Sequence, residues 1–217
     1  MTRNQDGTEA VARFFQAIQK GDVTAVKACL EAGAGPDARD PASGLSPLMV
    51  ASGSGRTETV RLLLDCGANP HCVDPGAGAS PMHKACQAGN LAIVRMLVDA
   101  GAFIDLQAAG TGHTALIEAM WFKHVDVVEY LLARGARTGL RTAYGFTITD
   151  HLNFMLKVNV KGREEILRIK ELLDARTAVA RRAGPAGPGV AGASLARGPV
   201  AAVRSAGALA GRTGHGA

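Results

Sequence analysis

Long apolar runs are missing from this chain: no stretch of about eighteen consecutive residues is apolar enough to span a bilayer. The amino terminus, Met1 to Glu9, is polar and has none of the apolar core that a signal peptide carries, so a soluble cytoplasmic protein, or a nuclear one, is expected. Cysteine is sparse. Four scattered through 217 residues cannot form the dense framework of a small secreted domain, which agrees with a reducing compartment. Aromatic residues make up only 4% of the chain, so each one that is present needs its own explanation. Acidic residues are absent beyond position 176, and the phosphate loops, nucleophile elbows, HExxH helices and calcium loops that carry familiar chemistries are absent throughout.

The charge is unevenly placed. Of the 24 Lys and Arg, five (Arg181, Arg182, Arg197, Arg204 and Arg212) follow residue 176; removing them leaves 19 against the 19 Asp and Glu. The front part is therefore formally neutral, and the net charge of +5 belongs to the tail, which argues against a basic binding face on the folded part. Residues 177–217 are nearly all Ala, Gly, Val, Pro, Arg, Ser and Thr. Without large apolar side chains such a segment cannot offset the entropy of ordering itself, so a disordered tail is expected. Within it, Gly187, Gly189 and Gly192 satisfy GxGxxG, but neither a strand before nor a helix after supports a nucleotide site. The tail arginines are widely spaced, with no aromatics between them for base stacking, so a nucleic-acid partner is not favoured.

One supersecondary unit is written several times in the front part. Gly55, Val60, Leu63, Leu64, Gly67 and Ala68 recur 34 residues later as Gly89, Val94, Leu97, Val98, Gly101 and Ala102. The register extends upstream to Gly21, Val26, Leu30, Gly33 and Ala34, and downstream to Val128, Leu131, Leu132, Gly135 and Ala136. A fixed period in this range marks a solenoid, whose units bury their apolar stripes only by stacking. Each unit starts with a hydroxyl cap: Ser46-Pro47-Leu48, Ser80-Pro81-Met82-His83, Thr114-Ala115-Leu116. Turn-rich stretches precede them, Asp40 to Gly44 and Asp74 to Gly78, while Gln107 to His113 departs further and lacks the opening Asp.

These coupled positions resemble the Thr-Pro-Leu-His pattern of ankyrin repeats. The resemblance covers roughly residues 8–176 and implies an all-α, ankyrin-type solenoid of about five helix-turn-helix repeats with projecting hairpin loops, spanning approximately 8–39, 40–73, 74–107, 108–141 and 142–176. The first helix is expected over 9–20, capped by Asp6 or Thr8, the second over Val23 to Ala32, and the last over Glu164 to Arg176 as a carboxyl-terminal cap. Such proteins usually bind other proteins and catalyse nothing. The expected function is accordingly a protein-protein interaction module, not an enzyme, with a protein partner, no membrane, no cofactor and no metal, and a monomer as the expected state. Two alternatives are an inhibitory protein that blocks one enzyme and a nucleic-acid-associated protein that uses the arginine tail.

By the same resemblance, partner contacts come from the finger tips and the ends of the first helices. Carried to this chain, those places are Leu45, Ala79, His113, Trp121, Phe122, Tyr144 and Phe146, with the tips Pro41 to Ser43 and Pro75 to Ala77. Two uses are open for Trp121 and Phe122: desolvation by a partner, or packing against the irregular fifth repeat. Lys123 stands where Gly55 and Gly89 stand, so it either takes a positive φ or reshapes the turn. His83 fills the family's histidine position and is expected to bond backbone in the adjoining turn. Cys66, His71, Cys72, His83 and Cys86 match no paired zinc spacing, and the repeat register accounts for them separately. Cys29 aligns with Leu63 and Leu97, which predicts a core position.

Overall fold

The computed structural model describes residues 3–158 and 161–182, and among these it forms ten helices and no strand. They pair as α1 (Arg3–Lys20) with α2 (Val23–Glu31), α3 (Pro47–Gly53) with α4 (Thr57–Asp65), α5 (Pro81–Ala88) with α6 (Leu91–Asp99), α7 (Ala115–Trp121) with α8 (Val125–Ala133), and α9 (Ile148–Lys157) with α10 (Arg163–Arg182). The first helices pack side by side as one layer and the second helices as the other. Leu48, Leu63, Met82, Leu97, Leu116 and Leu131 are fully buried between the layers, and this core continues through Ile148 and Ile169 into the last pair.

The caps form where hydroxyls precede the helices. Ser46 Oγ accepts from the Met49 N–H, Thr114 Oγ1 from Ile117 and Thr147 Oγ1 from Asp150. Two second helices are capped by short polar side chains, Asp22 on Ala25 and Asn90 on Ile93. The first helix is longer than expected: it runs Arg3–Lys20, so the backbone of Asp6 and Thr8 is within it and not ahead of it. The last helix likewise outruns its expected end at Arg176 and continues to Arg182. The tail from residue 183, expected to be disordered, lies outside the described residues.

All three longer fingers close in the same way, including the one that sequence sets apart. Asp40, Asp74 and Ala108 each donate their N–H to the carbonyl five residues on, at Leu45, Ala79 and His113, over 3.0, 3.0 and 2.8 Å. Gly44, Gly78 and Gly112 then turn back with φ of 69° in each case. The missing Asp at 108 costs only side-chain bonds, because the backbone ring and the glycine set the turn. In the finger of the third repeat, Asp74 shows what those bonds add. Burial opposes its ionisation, yet the N–H groups of Ala77, Ala79 and Gly76 together hold the carboxyl below its ordinary range. The fifth finger is one residue shorter, with Thr142 N–H bonded to Phe146 O at 2.9 Å.

Cys29 departs from its periodic reading. It packs on the core but is only half-buried, because its register lies in the first pair, with no earlier unit stacked outside it. Lys123 takes the strained alternative, at φ 63°, the one positive-φ residue other than glycine among those described. The turn keeps its shape, with Lys123 N–H on Met120 O and His124 N–H on Ala119 O, at 3.0 and 2.9 Å. A left-handed non-glycine residue costs about 1 kcal/mol or more. Lys123→Gly is therefore expected to raise stability by up to about 1 kcal/mol in chemical denaturation, and a loss would show that the lysine side chain compensates.

Candidate partner-binding cleft

Aligning the repeats on their caps sets the fingers and first helices into four rows of equivalent positions, some exposed and some buried. From the second repeat to the fifth these read Ser43, Ala77, Thr111, Tyr144; Leu45, Ala79, His113, Phe146; Val50, Lys84, Glu118, His151; and Gly53, Gln87, Trp121, Phe154. The first two members of each row are small, aliphatic or flexible. The last two are mostly aromatic, so the face changes character between the third and fourth repeats.

That change makes a cleft of about 590 Å³ lined by His113, Trp121, Tyr144, Phe146, Asp150, His151, Asn153, Phe154 and Lys157. His151 is among these lining residues although only 8% exposed. The rings of His113, Trp121 and Phe146 meet its own edge-on, at centroid distances of 5.3, 5.6 and 5.7 Å. Trp121 also leans on Phe154, 6.5 Å away, so it packs on the fifth repeat and lines the cleft at once. Two buried polar atoms here have no hydrogen-bond partner, Trp121 Nε1 and His151 Nε2. Burial holds the His151 ring below its usual value, with neighbouring His113 acting in the same direction.

Four of the residues suggested by sequence, His113, Trp121, Tyr144 and Phe146, meet in this cleft. Phe122 lies outside it, exposed and stacked on His124 with centroids 6.4 Å apart. Leu45 is half-buried against the core and Ala79 is buried, 5% exposed, each closing its own finger two and one repeats away. Sequence reasoning passed over His151 and Phe154. The available signal was the Thr147 cap, which places Phe154 in the row of Trp121 once the shorter finger is allowed for.

A polar strip continues from the cleft toward the third repeat. His113 Nδ1 donates to Glu118 at 3.0 Å, and Gln87 Nε2 donates to the other carboxylate oxygen at 3.1 Å. Burial works against the Glu118 charge, but these bonds from His113 and Gln87 hold its carboxyl below the ordinary range. Behind the strip, His83 accepts from the Ser80 N–H through Nδ1 and donates through Nε2 to His113 O at 3.0 Å. It thus fixes the finger that carries His113. Cys72 Sγ lies 3.0 Å from Ser46 Oγ, and no group of three or more His, Cys, Asp or Glu among the described residues is placed to hold a metal.

Burial depresses the His83 pKa, and protonation would cost it the bond from Ser80. The unfolded ring takes its proton near about 6.5. Stability is therefore complete above that pH and declines as pH falls through it, at up to about 1.4 kcal/mol per pH unit from this ring. His151, whose ring burial also holds low, adds a slope of the same sign. Urea denaturation between about pH 8 and 5 is expected to show the decline, and His83→Gln to flatten it; an unchanged slope would remove His83 as its source.

A family model described as ankyrin repeats, in three copies, matches residues 14–108 and again 58–142. No curated protein matches the chain. Ankyrin repeats are generally protein-protein interaction modules and typically non-enzymatic. No helix among the described residues is long and apolar enough to cross a membrane. Period, caps, fingers, paired helices and the matched family model agree, and the chain belongs to the ankyrin-repeat family.

Proposed function

We propose that this chain docks one protein partner against the fingers and first helices of its second to fifth repeats, with the cleft between the fourth and fifth as the energetic centre. In this reading residues 1–176 are the binding domain, working as a cytoplasmic or nuclear monomer without catalysis, and residues 177–217 are an accessory tail. One observation carries it. Tyr144, Phe146 and Phe154 remain 67, 52 and 55% exposed around a half-buried Trp121, in a chain with few aromatics to spare. Aromatic rings lose little conformational entropy on docking and release much surface from water, which makes such a cluster the usual hot spot. Leu45 and Ala79 shape the face at the earlier fingers, and Phe122, across the turn, takes a lesser share.

The test is affinity capture from native lysate with the full chain and a Tyr144→Ala, Phe154→Ala variant. Both side chains are exposed, so the variant is expected to stay folded by circular dichroism. Its partner should be lost, each ring being worth about 1–2 kcal/mol, while Phe122→Ala retains most of it. Undiminished capture by the double variant would refute the cleft as the centre of binding.

A further inference from the structure

His113 and His151 are neighbours with unequal means of holding a proton. His113 Nδ1 already rests on the Glu118 carboxylate at 3.0 Å, so a positive charge on that ring meets a counter-charge in place. His151 is buried, its ring packed edge-on among those of His113, Trp121 and Phe146. Its Nε2 is sealed from solvent and has no hydrogen-bond partner among the described residues. An imidazolium carries two N–H donors, and a buried charge with an unbonded donor costs far more than the neutral ring. The surrounding charges do not offset this. Asp150, beside His151 on α9, favours the charge, but its Oδ2 already accepts twice from Thr147. Glu118, from α7, is engaged by His113 and Gln87, and His113, from the fourth finger, opposes a second positive charge. Arg141, ahead of the fifth finger, acts on Asp150, and Lys157 at the end of α9 adds positive charge to the cleft lining. From the other side α10 packs on α9 and contributes the buried apolar Ile166, Ile169 and Leu173.

We propose that His151 is an acid-sensitive latch on the cleft: neutral, it ties α9 to the fourth repeat through the rings around it, and protonated, it leaves them and the cleft loses its shape. The latch goes beyond the reading of the chain as a binding module; its consequence for a partner, release in acid, rests on that reading. The sign follows from where the proton is welcome. A ring freed into water takes its proton near about 6.5, whereas burial and the neighbouring His113 oppose it in place. Each pH unit below that value therefore favours the released ring by up to about tenfold, which makes roughly thirtyfold by about pH 5. The change stays local. Ile148, Leu152 and Met155 keep α9 buried on the stack, and Ala143 N–H still bonds Thr111 O at 2.9 Å. What moves is the ring and the two cleft walls it touches, Trp121 and Phe146. His83 differs, since both of its nitrogens are bonded and it braces a finger.

Trp121 is the sole tryptophan in the chain and touches the His151 ring, so its emission reports on the latch. Between about pH 8 and 5 the full chain is expected to show a step in Trp121 emission and stronger acrylamide quenching, with a midpoint below about 6.5. Far-UV circular dichroism should stay that of the folded chain across the step. His151→Phe keeps a ring in the site without a titrating group and should abolish the step, whereas His83→Gln should leave it. His113→Gln removes the opposing neighbour and should move the midpoint upward, which keeps the latch testable if His151→Phe does not fold. No step at all, a step that persists in His151→Phe or vanishes in His83→Gln, or a midpoint that His113→Gln leaves in place would overturn the latch. Partner captured at about pH 7.5 should come off the full chain at about pH 5.5 roughly tenfold more readily than off His151→Phe. Equal release would overturn the hold of the latch on binding. If neither chain captures a partner, the interaction reading fails, and the Trp121 titration still decides the latch.

Discussion

Leu97→Ala is expected to destabilise the repeat domain by about 2–5 kcal/mol, whereas Cys29→Ala, in the same register, should cost no more than about 1 kcal/mol. Leu63, Leu97 and Leu131 occupy one row through α4, α6 and α8, and all three are fully buried. Truncating Leu97 removes apolar surface from the core and leaves a cavity that neighbours on both sides cannot refill. Cys29 is the same row's last member, half-buried because nothing stacks beyond it. The two substitutions therefore separate the intrinsic value of the position from the value of having a neighbour. Stability in such a stack is nearly a sum of unit and nearest-neighbour contributions, so weakening the central unit also loosens the coupling of the two ends. Helical circular dichroism, which samples every pair, and Trp121 emission, which samples the fourth, should then give separate urea midpoints for Leu97→Ala. Equal costs at the two positions would sink this account of the core.

How much of this was legible in the sequence depends on whether a residue does the same job in every repeat. Gly55 and Gly89, the Ser46 and Ser80 caps and the Val60 and Val94 stripe each solve one local problem 34 residues apart, so the pattern exposes the fold directly. His83 was equally readable, since the family position predicts a backbone bond and the ring makes one at each nitrogen. The cleft was half legible because a single residue is missing from the fifth finger. With Thr142 bonded to Phe146 rather than to a residue one further on, a strict period of 34 misplaces everything after it. Phe154 then no longer falls beside Trp121, and His151 no longer falls beside Glu118. Periodicity also cannot say where a row ends, which is why Cys29 read as core. Nor are packing and binding exclusive at Trp121: one edge rests on α9 while the ring still lines an open site.

The tie between fold and site is sharpest at Gly112, where alanine is expected to cost about 2–5 kcal/mol and to weaken partner binding as well. Each longer finger's glycine lies beneath the following finger. A Cβ on Gly44 would meet Pro75 at 2.8 Å, one on Gly78 would meet Ala109 N at 2.7 Å, and one on Gly112 would meet Ala143 N at 2.5 Å. The Pro75 ring can yield a little, but at Gly112 the obstacles are backbone atoms, with Thr142 C and Cα also at 2.9 Å. Ala143 N–H bonds Thr111 O at 2.9 Å, and Tyr144 and Phe146 follow directly, so relieving the clash must break that bond and shift one wall of the cleft. Gly135→Ala is the comparison. Its φ of 91° imposes a similar left-handed strain, about 1–2 kcal/mol, but a Cβ there has nothing within 4 Å. Denaturation should rank Gly112→Ala well below Gly135→Ala, and binding at a temperature where both are folded should fall only for Gly112→Ala. If the two variants bind equally well, the fifth finger is not what holds Tyr144 and Phe146 in place.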